Sequence, residues 1–238
     1  MERKLFLKNS VSALGLAFVA PLFKSCTKEA VTDTTTTDTG TDSGSCVITP
    51  QETAGPFPTL TPSSLVSANI VSDRKGVPLT IKVTVNNSKS SCAALSGAIV
   101  DIWHCDAAGN YSEYGGGGMQ STDYTSVHFL RGRQTTNVSG LVTFTSIFPG
   151  WYSGRAPHIH VHVYSTDGTS LMITQIAFPT DICNTVYTTA ADYKSRGTQD
   201  TSNSSDNVFS DSLANELATV SGSVSDGYVL THIITVSA

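Results

Sequence analysis

Charge is what this chain has least of. Only 14% of its 238 residues are Asp, Glu, Lys or Arg, against about a quarter in an ordinary globular domain. Its 14 lysines and arginines form no clustered stripe, and the net charge is -5. That balance argues against a nucleic-acid surface and favours a small neutral or anionic ligand in a local pocket. Long hydrophobic runs are missing too: Val11 to Phe23 is apolar but too short to span a bilayer. The glycine run Gly115 to Gly118 lacks a following Lys-Ser/Thr and does not lead from strand into helix, so it reads as a flexible loop and not as a phosphate cradle.

The front of the chain reads as processing sequence. Arg3, Lys4 and Lys8 form a basic region, the apolar run follows, and Cys26 succeeds Ser25 as at a lipoprotein cleavage site, with Lys24 irregular for such a site. The run Arg3 to Lys8 also resembles a twin-arginine signal with lysine in the second position. The competing reading of this stretch is a buried N-terminal helix. Thr27 to Ser45 is almost wholly Thr, Asp, Ser and Gly, which cannot bury surface and should be a disordered tether. The expectation is an exported protein, anchored to a membrane only through lipid at Cys26 and facing the periplasm or cell exterior. One globular domain occupies residues 46–238.

Four other cysteines, Cys46, Cys92, Cys105 and Cys183, allow three pairings. If Ala98 to Cys105 is extended, the short stretch from Cys92 to Gly97 can barely double back to meet Cys105, so a Cys92–Cys105 bridge is disfavoured.

Most of the domain alternates apolar and polar residues and is cut at short intervals by Gly, Asn, Asp and Ser. Strands are expected over Leu79 to Val85, Ala98 to Cys105, His158 to Tyr164, Met172 to Phe178 and Tyr228 to Val236. A hairpin is expected from Arg133 to Thr136 and Leu141 to Ile147, turning at Asn137 to Gly140. Only Ala190 to Lys194 and Asp211 to Thr219 look helical. The expected fold is all-β, an antiparallel β-sandwich with long loops and one or two short helices.

Chemistry concentrates between Gly150 and His160, where Tyr152, Arg155, His158 and His160 fall together. In a strand, residues i and i+2 share a face, so His158 and His160 present two imidazoles side by side while Ile159 faces the other layer. Zinc sites and plain strand histidines both show His-x-His, and taken alone it favours the plain reading. Two phenols add weight: Tyr111 lies just beyond the turn that ends the Ala98 to Cys105 strand, and Tyr152 lies just before the histidines. A set of two phenols and two imidazoles, without carboxylate or thiolate, suits neither calcium nor magnesium nor copper(I). Ferric iron favours anionic oxygen and can drive a tyrosine to phenolate. His162 continues the same face, and His104 and His128 read as structural or exposed. Trp103 and Trp151 read as packing beneath the site.

Four blocks carry a family resemblance: Thr53-Ala54-Gly55-Pro56-Phe57-Pro58, Val100 to Tyr111, Arg155-Ala156-Pro157-His158-Ile159-His160, and Ile173-Thr174-Gln175-Ile176. In order and spacing they resemble the intradiol ring-cleavage dioxygenases over roughly Gln51 to Pro179. The resemblance implies non-haem iron(III) on Tyr111, Tyr152, His158 and His160, with catechol and O2 as the small-molecule partners and a muconate-type diacid as product. It implies that Tyr152 leaves the iron and helps take a catechol proton while Tyr111 stays. Arg155 would stabilise carbanion-like character on the substrate ring, and Gln175 would fix substrate and arginine. Thr53, Ala54, Gly55 and Pro56 would line the pocket. The chain departs from better-known members in having no long helical dimerisation segment before its first β block, and the preferred catechol and the oligomeric state stay open. The competing readings are a non-catalytic β-sandwich module that holds metal or catecholate, and a zinc hydrolase built on the histidines.

Overall fold

A computed structural model describes residues 46–238; the signal and tether expected over residues 1–45 lie outside the described residues. Nine strands and one helix are formed: β1 (Pro78–Asn87), β2 (Ala93–Ala94), β3 (Ile99–Trp103), β4 (Arg131–Thr135), β5 (Leu141–Ile147), β6 (His158–Tyr164), β7 (Ser170–Ala177), α1 (Thr180–Thr189), β8 (Thr219–Ser223) and β9 (Gly227–Val236). They make two packed sheets. One runs β4-β3-β6-β7, antiparallel throughout. In the other, β1 pairs antiparallel with β5 and the short β2, and on the other side with β9, outside which lies β8.

Period-2 patterning explains why these segments are strands. In β1, Leu79, Ile81, Val83 and Val85 are buried while the residues between them are not, and they meet Ile102, Ile159, Val161 and Ile176 of the facing sheet in one core. Each such side chain contributes about 1.5–3 kcal/mol on leaving water, so the inner faces hold the sandwich together and leave the outer face of the four-stranded sheet free for polar work.

The expected all-β sandwich is formed, with one parallel pair in it, and two further expectations are corrected. The β1–β9 pair is parallel; these strands lie far apart in the chain, so no tight turn dictates their relative direction. The expected hairpin does not form, because β4 pairs with β3 while β5 pairs with β1; the turn at Asn137 to Gly140 carries the chain from one sheet to the other. The helices lie elsewhere: Ala190 to Lys194 is a turn, and Asp211 to Thr219 holds only a short 3-10 turn at Leu213–Asn215 before β8 begins. α1 went unread because its threonines, valine and isoleucine favour strand. It forms because Cys183, Val186 and Tyr187, spaced for one helical face, are all buried against the core. The helix region also braces the loop that leads to the histidines: the Tyr187 hydroxyl donates to Pro149 O (2.9 Å) and the Tyr193 hydroxyl to Phe148 O (2.6 Å).

Cys46 and Cys92 form a disulfide, with Cα atoms 5.6 Å apart, and Cys105 and Cys183 are free and buried. Among the described residues no helix is long and apolar enough to cross a membrane.

His104 is fully buried; its Nδ1 donates to Cys105 O (2.8 Å) and its Nε2 accepts from the Ser146 hydroxyl (2.7 Å). Burial lowers its pKa to about 4. An unfolded chain therefore binds a proton here below about pH 6.5 that the folded protein refuses, so the stability present above that pH is lost as pH falls toward 4. Glu216, pushed up to about 7 mainly by burial, acts oppositely: its contribution is present at low pH and lost as pH rises through 7. The difference in urea unfolding free energy between the wild type and His104→Asn isolates the histidine, and it should shift by about 2 kcal/mol in favour of the variant between pH 7 and pH 5.

Candidate active site

One cross-strand row carries much of the site. Arg131 on β4 pairs with Trp103 on β3, Trp103 with His160 on β6, and His160 with Gln175 on β7. Alternation sends Ile159 inward to the core and His158 and His160 outward. Loops then close over that outer face. After β3, Asp106 Oδ1 accepts from the backbone N–H groups of Ala108 (3.0 Å) and Asn110 (2.9 Å), turning the chain so that Tyr111 enters the site. Tyr152 and Arg155 come from the loop braced by Tyr187 and Tyr193.

Four donor atoms converge. From His158 Nε2, the Tyr111 hydroxyl lies 3.4 Å away, the Tyr152 hydroxyl 3.5 Å and His160 Nε2 3.1 Å. His158 Nδ1 donates to Ala156 O (2.6 Å), so Nε2 carries a lone pair. His160 is oriented by contact instead: Trp103 stacks on it with ring centroids 4.9 Å apart and planes 3° from parallel, while its Nδ1 has no hydrogen-bond partner. Gly55 closes the opposite approach. Its φ is +68°, and a Cβ there would come within 2.9 Å of His160 Cε1, so the position favours glycine on both counts.

The two phenols differ. Tyr111 is fully buried, stacked on Phe57 (4.7 Å), and its backbone is bound by the Gln120 side chain, which accepts from Tyr111 N (2.6 Å) and donates to Tyr111 O (2.8 Å). Tyr152 is half-buried and lines a cavity of about 420 Å³. Burial pushes both hydroxyls above their ordinary pKa. Burial, with Arg155 nearby, lowers His158 to about 3, and His160 is depressed for the same leading reason. At neutral pH the protein alone therefore holds neutral imidazoles and neutral phenols, and a cation is what would ionise the phenols.

Arg155 is clamped on two sides. Nε donates to Asp206 Oδ2 (2.9 Å) and Nη2 to Gln175 Oε1 (2.7 Å), while Nη1 lies 3.5 Å from the Tyr152 hydroxyl. Gln175 Nε2 in turn donates to Thr53 O (2.9 Å). Asp206 is fully buried and also accepts from Ala156 N (2.6 Å) and Val208 N (2.8 Å).

Of the segment expected to line the pocket, Thr53, Gly55 and Pro56 face the cavity; Ala54 packs instead against the buried cluster of Phe57, Trp103, Cys105 and Tyr111. His162 lies away from the four donors, stacked on Tyr164 and bonded to Ser170 Oγ (2.7 Å). Trp103 packs beneath the site, whereas Trp151 lies under Arg196, 4.4 Å from guanidinium carbon to ring centroid. Sequence reasoning missed Gln120, Asp206, Asn207, Val208 and Met119. The last follows the glycine run, which reads in the sequence only as a flexible loop, and lines the cavity with Asn207 and Val208. Asp206 lies in a serine-rich stretch without periodicity, and nothing local marks it.

The donor set fits a ferric ion. Ligands about 2.0–2.2 Å from one centre, at right to tetrahedral angles, sit roughly 3–3.5 Å from one another, the spacing His158 Nε2 keeps to the other three. Among the described residues no group of three or more His, Cys, Asp or Glu side chains is arranged to hold a metal.

Known proteins bear on this geometry. The family model Dioxygenase_C, described as "Dioxygenase", matches residues 61–210. An intradiol ring-cleavage dioxygenase from Tetranychus urticae superposes with a TM-score of 0.72 at 28% identity, over 81% of this chain and 95% of that one. The dioxygenase domain of a carbohydrate-binding fusion protein from Streptomyces sp. SirexAA-E gives a TM-score of 0.58 at 25% identity, over 81% and 99%. A chlorocatechol 1,2-dioxygenase from Rhodococcus opacus is 30% identical over 111 residues, a match that spans 39% of this chain and 40% of that enzyme. The chain belongs to the intradiol ring-cleavage dioxygenase family.

Proposed function

We propose that the protein is a non-haem iron(III) dioxygenase that opens a catechol-type ring between its two hydroxylated carbons. Both atoms of O2 enter the product, the carbon–carbon bond between the hydroxyl-bearing carbons breaks, and a muconate-type diacid results without any external reductant. The observation that carries this reading is the convergence of two phenols and the His160 imidazole within 3.5 Å of His158 Nε2, beside a clamped arginine.

Tyr111, Tyr152, His158 and His160 would hold the iron. When bound, iron(III) supplies a Lewis-acidic centre that lets phenol and catechol hydroxyls ionise near neutral pH and lets the ring react with O2. The remaining chemistry belongs to side chains. Tyr111, buried and stacked, would be the fixed ligand; Tyr152, at the cavity wall, would be the one with room to move. Its oxygen can take a proton from a substrate hydroxyl at the moment of binding. Arg155 Nη1 faces the same oxygen and the cavity, where a permanent cation stabilises negative charge developing on the ring. Gln175 keeps the guanidinium in that pose and is itself held by the Thr53 carbonyl.

The test is colour followed by oxygen uptake. Iron–phenolate charge transfer should make purified protein red to burgundy, anaerobic catechol should shift that band, and an oxygen electrode should record uptake with a catechol. Colourless protein with stoichiometric zinc, or coloured protein that consumes no oxygen with any catechol, would exclude the proposal; the latter result would favour the binding module.

Gly55→Ala should cost about tenfold in kcat and shift the charge-transfer band. The added carbon must displace the His160 ring, or the backbone must leave its positive φ, and a displacement near 1 Å can cost a hundredfold. Unchanged colour and rate would show that Gly55 does not set the imidazole.

The export reading of residues 1–45 accompanies this proposal. The Cys46–Cys92 disulfide supports it, since such bonds persist in oxidising compartments. The intact mass of protein purified from membranes tests it: a lipid mass on Cys26 is expected, and an unprocessed Met1 would refute it.

A further inference from the structure

Building on the dioxygenase reading, we propose that this cavity selects catechols whose ring carries an uncharged, largely apolar substituent and discriminates against those carrying a ring carboxylate. The volume of about 420 Å³ lies in the range of sites that hold drug-sized ligands, so there is room beyond a bare catechol ring. Pro56, Met119 and Val208 contribute apolar wall, Ser153 and Asn207 neutral polar groups, and among the described residues Arg155 is the one charged residue lining the space.

That arginine is already committed. Asp206 occupies Nε, Gln175 occupies Nη2, and Nη1 points toward the Tyr152 hydroxyl where the ring oxygens must bind. A carboxylate on the far side of the substrate ring would find no free cation in the lining.

It would also enter an acidic neighbourhood. β7, the edge strand that carries Gln175, is bordered by Glu52, whose backbone N–H bonds Ile173 O (2.8 Å), and by Glu216, whose carbonyl accepts from Ala177 N (2.9 Å). The two glutamates therefore flank Gln175 along one strand. Glu216 and Asp206 are fully buried. The carboxyls sense one another: Glu52 is raised by burial and then by Asp211, against the pull of Arg155, and Glu216 by burial with Glu52, Asp211 and Asp206 adding. Glu216, raised to about 7, is only partly ionised at neutral pH and Asp206 is already paired with the one guanidinium, so Glu52 is the main uncompensated carboxylate, and the field at the cavity disfavours a second anion while leaving a neutral substituent unaffected.

The test compares 3,4-dihydroxybenzoate with 3,4-dihydroxybenzamide, which match in shape and differ in charge. At low ionic strength the amide should be favoured by about tenfold or more in kcat/KM, and in anaerobic affinity read from the charge-transfer band, the effect of one partly screened charge interaction. Glu52→Gln, outside the catalytic machinery, should narrow the ratio severalfold by improving the carboxylate alone, and added salt should narrow it too. Equal or better handling of the carboxylate overturns the inference, as does an amide preference that neither Glu52→Gln nor salt moves. Oxygen uptake with unsubstituted catechol keeps those outcomes distinct from failure of the dioxygenase reading; with no uptake from any catechol, both fall together.

Discussion

Arg155→Leu should keep the red colour and lose about a thousandfold in kcat, because one well-placed donor in a dry site is worth two to three orders of magnitude. The four donor atoms, His158 Nε2 and the three around it, do not include the guanidinium, so iron binding and the charge-transfer band should survive. What disappears is the cation at the Tyr152 oxygen and the cavity wall. The substitution also strands Asp206, whose remaining partners would be Ala156 N and Val208 N. A buried carboxylate that loses its cation destabilises a protein by about 3–5 kcal/mol, so thermal unfolding must be recorded beside the rate. Arg155→Lys separates the two effects: it restores the charge without the planar fork and should recover stability more than turnover. Activity within tenfold of wild type in a folded, coloured Arg155→Leu protein would remove the arginine from this role.

Asp206→Asn should lower kcat by about a hundredfold with a smaller change in KM, since a misplacement near 1 Å away from the chemistry can cost that much. Asp206 touches no part of the cavity where the ring binds; it positions Arg155 through Nε and ties the wall residue Val208 to the same carboxylate. Asparagine keeps the volume but offers one acceptor oxygen where the carboxylate serves three donors, so at least one buried N–H loses its partner. A merely structural loss would lower stability and leave the kcat of the folded fraction intact. A positioning loss would instead appear in kcat per coloured site, with partial rescue by Asp206→Glu. Normal turnover per iron in Asp206→Asn would end the positioning role.

Much of the architecture was readable from local pattern. β5 and β6 were bounded as the structure has them, and β1, β3, β4, β7 and β9 within two residues, because alternation along a half-buried strand is a property of neighbouring residues. The misread elements share one cause. α1 carries strand-favouring residues yet coils because Cys183, Val186 and Tyr187 find a core to bury in. β8, weakly patterned as Thr219–Ser223, is a strand because β9 offers it a partner. The connection from β4 to β5 looks like a hairpin, but each strand has a different partner across the sandwich. In each case distant contacts overrode local preference.

The site divides along the same line. By itself the chain determined that His158 and His160 share a face, that Ile159 opposes them, and that two tyrosines and an arginine accompany them in family order, since residue type and spacing along one strand suffice for that. Only the tertiary structure decided that Tyr111, 47 residues from His158, lies 3.4 Å from it, that Asp206 rather than a nearer acid holds Arg155, and that acidic residues border the strand of Gln175. Those pairings arise where loops from different strands close over one sheet face, and the range at which charges and hydrogen bonds act is measured through space, where the order of residues leaves no periodic trace.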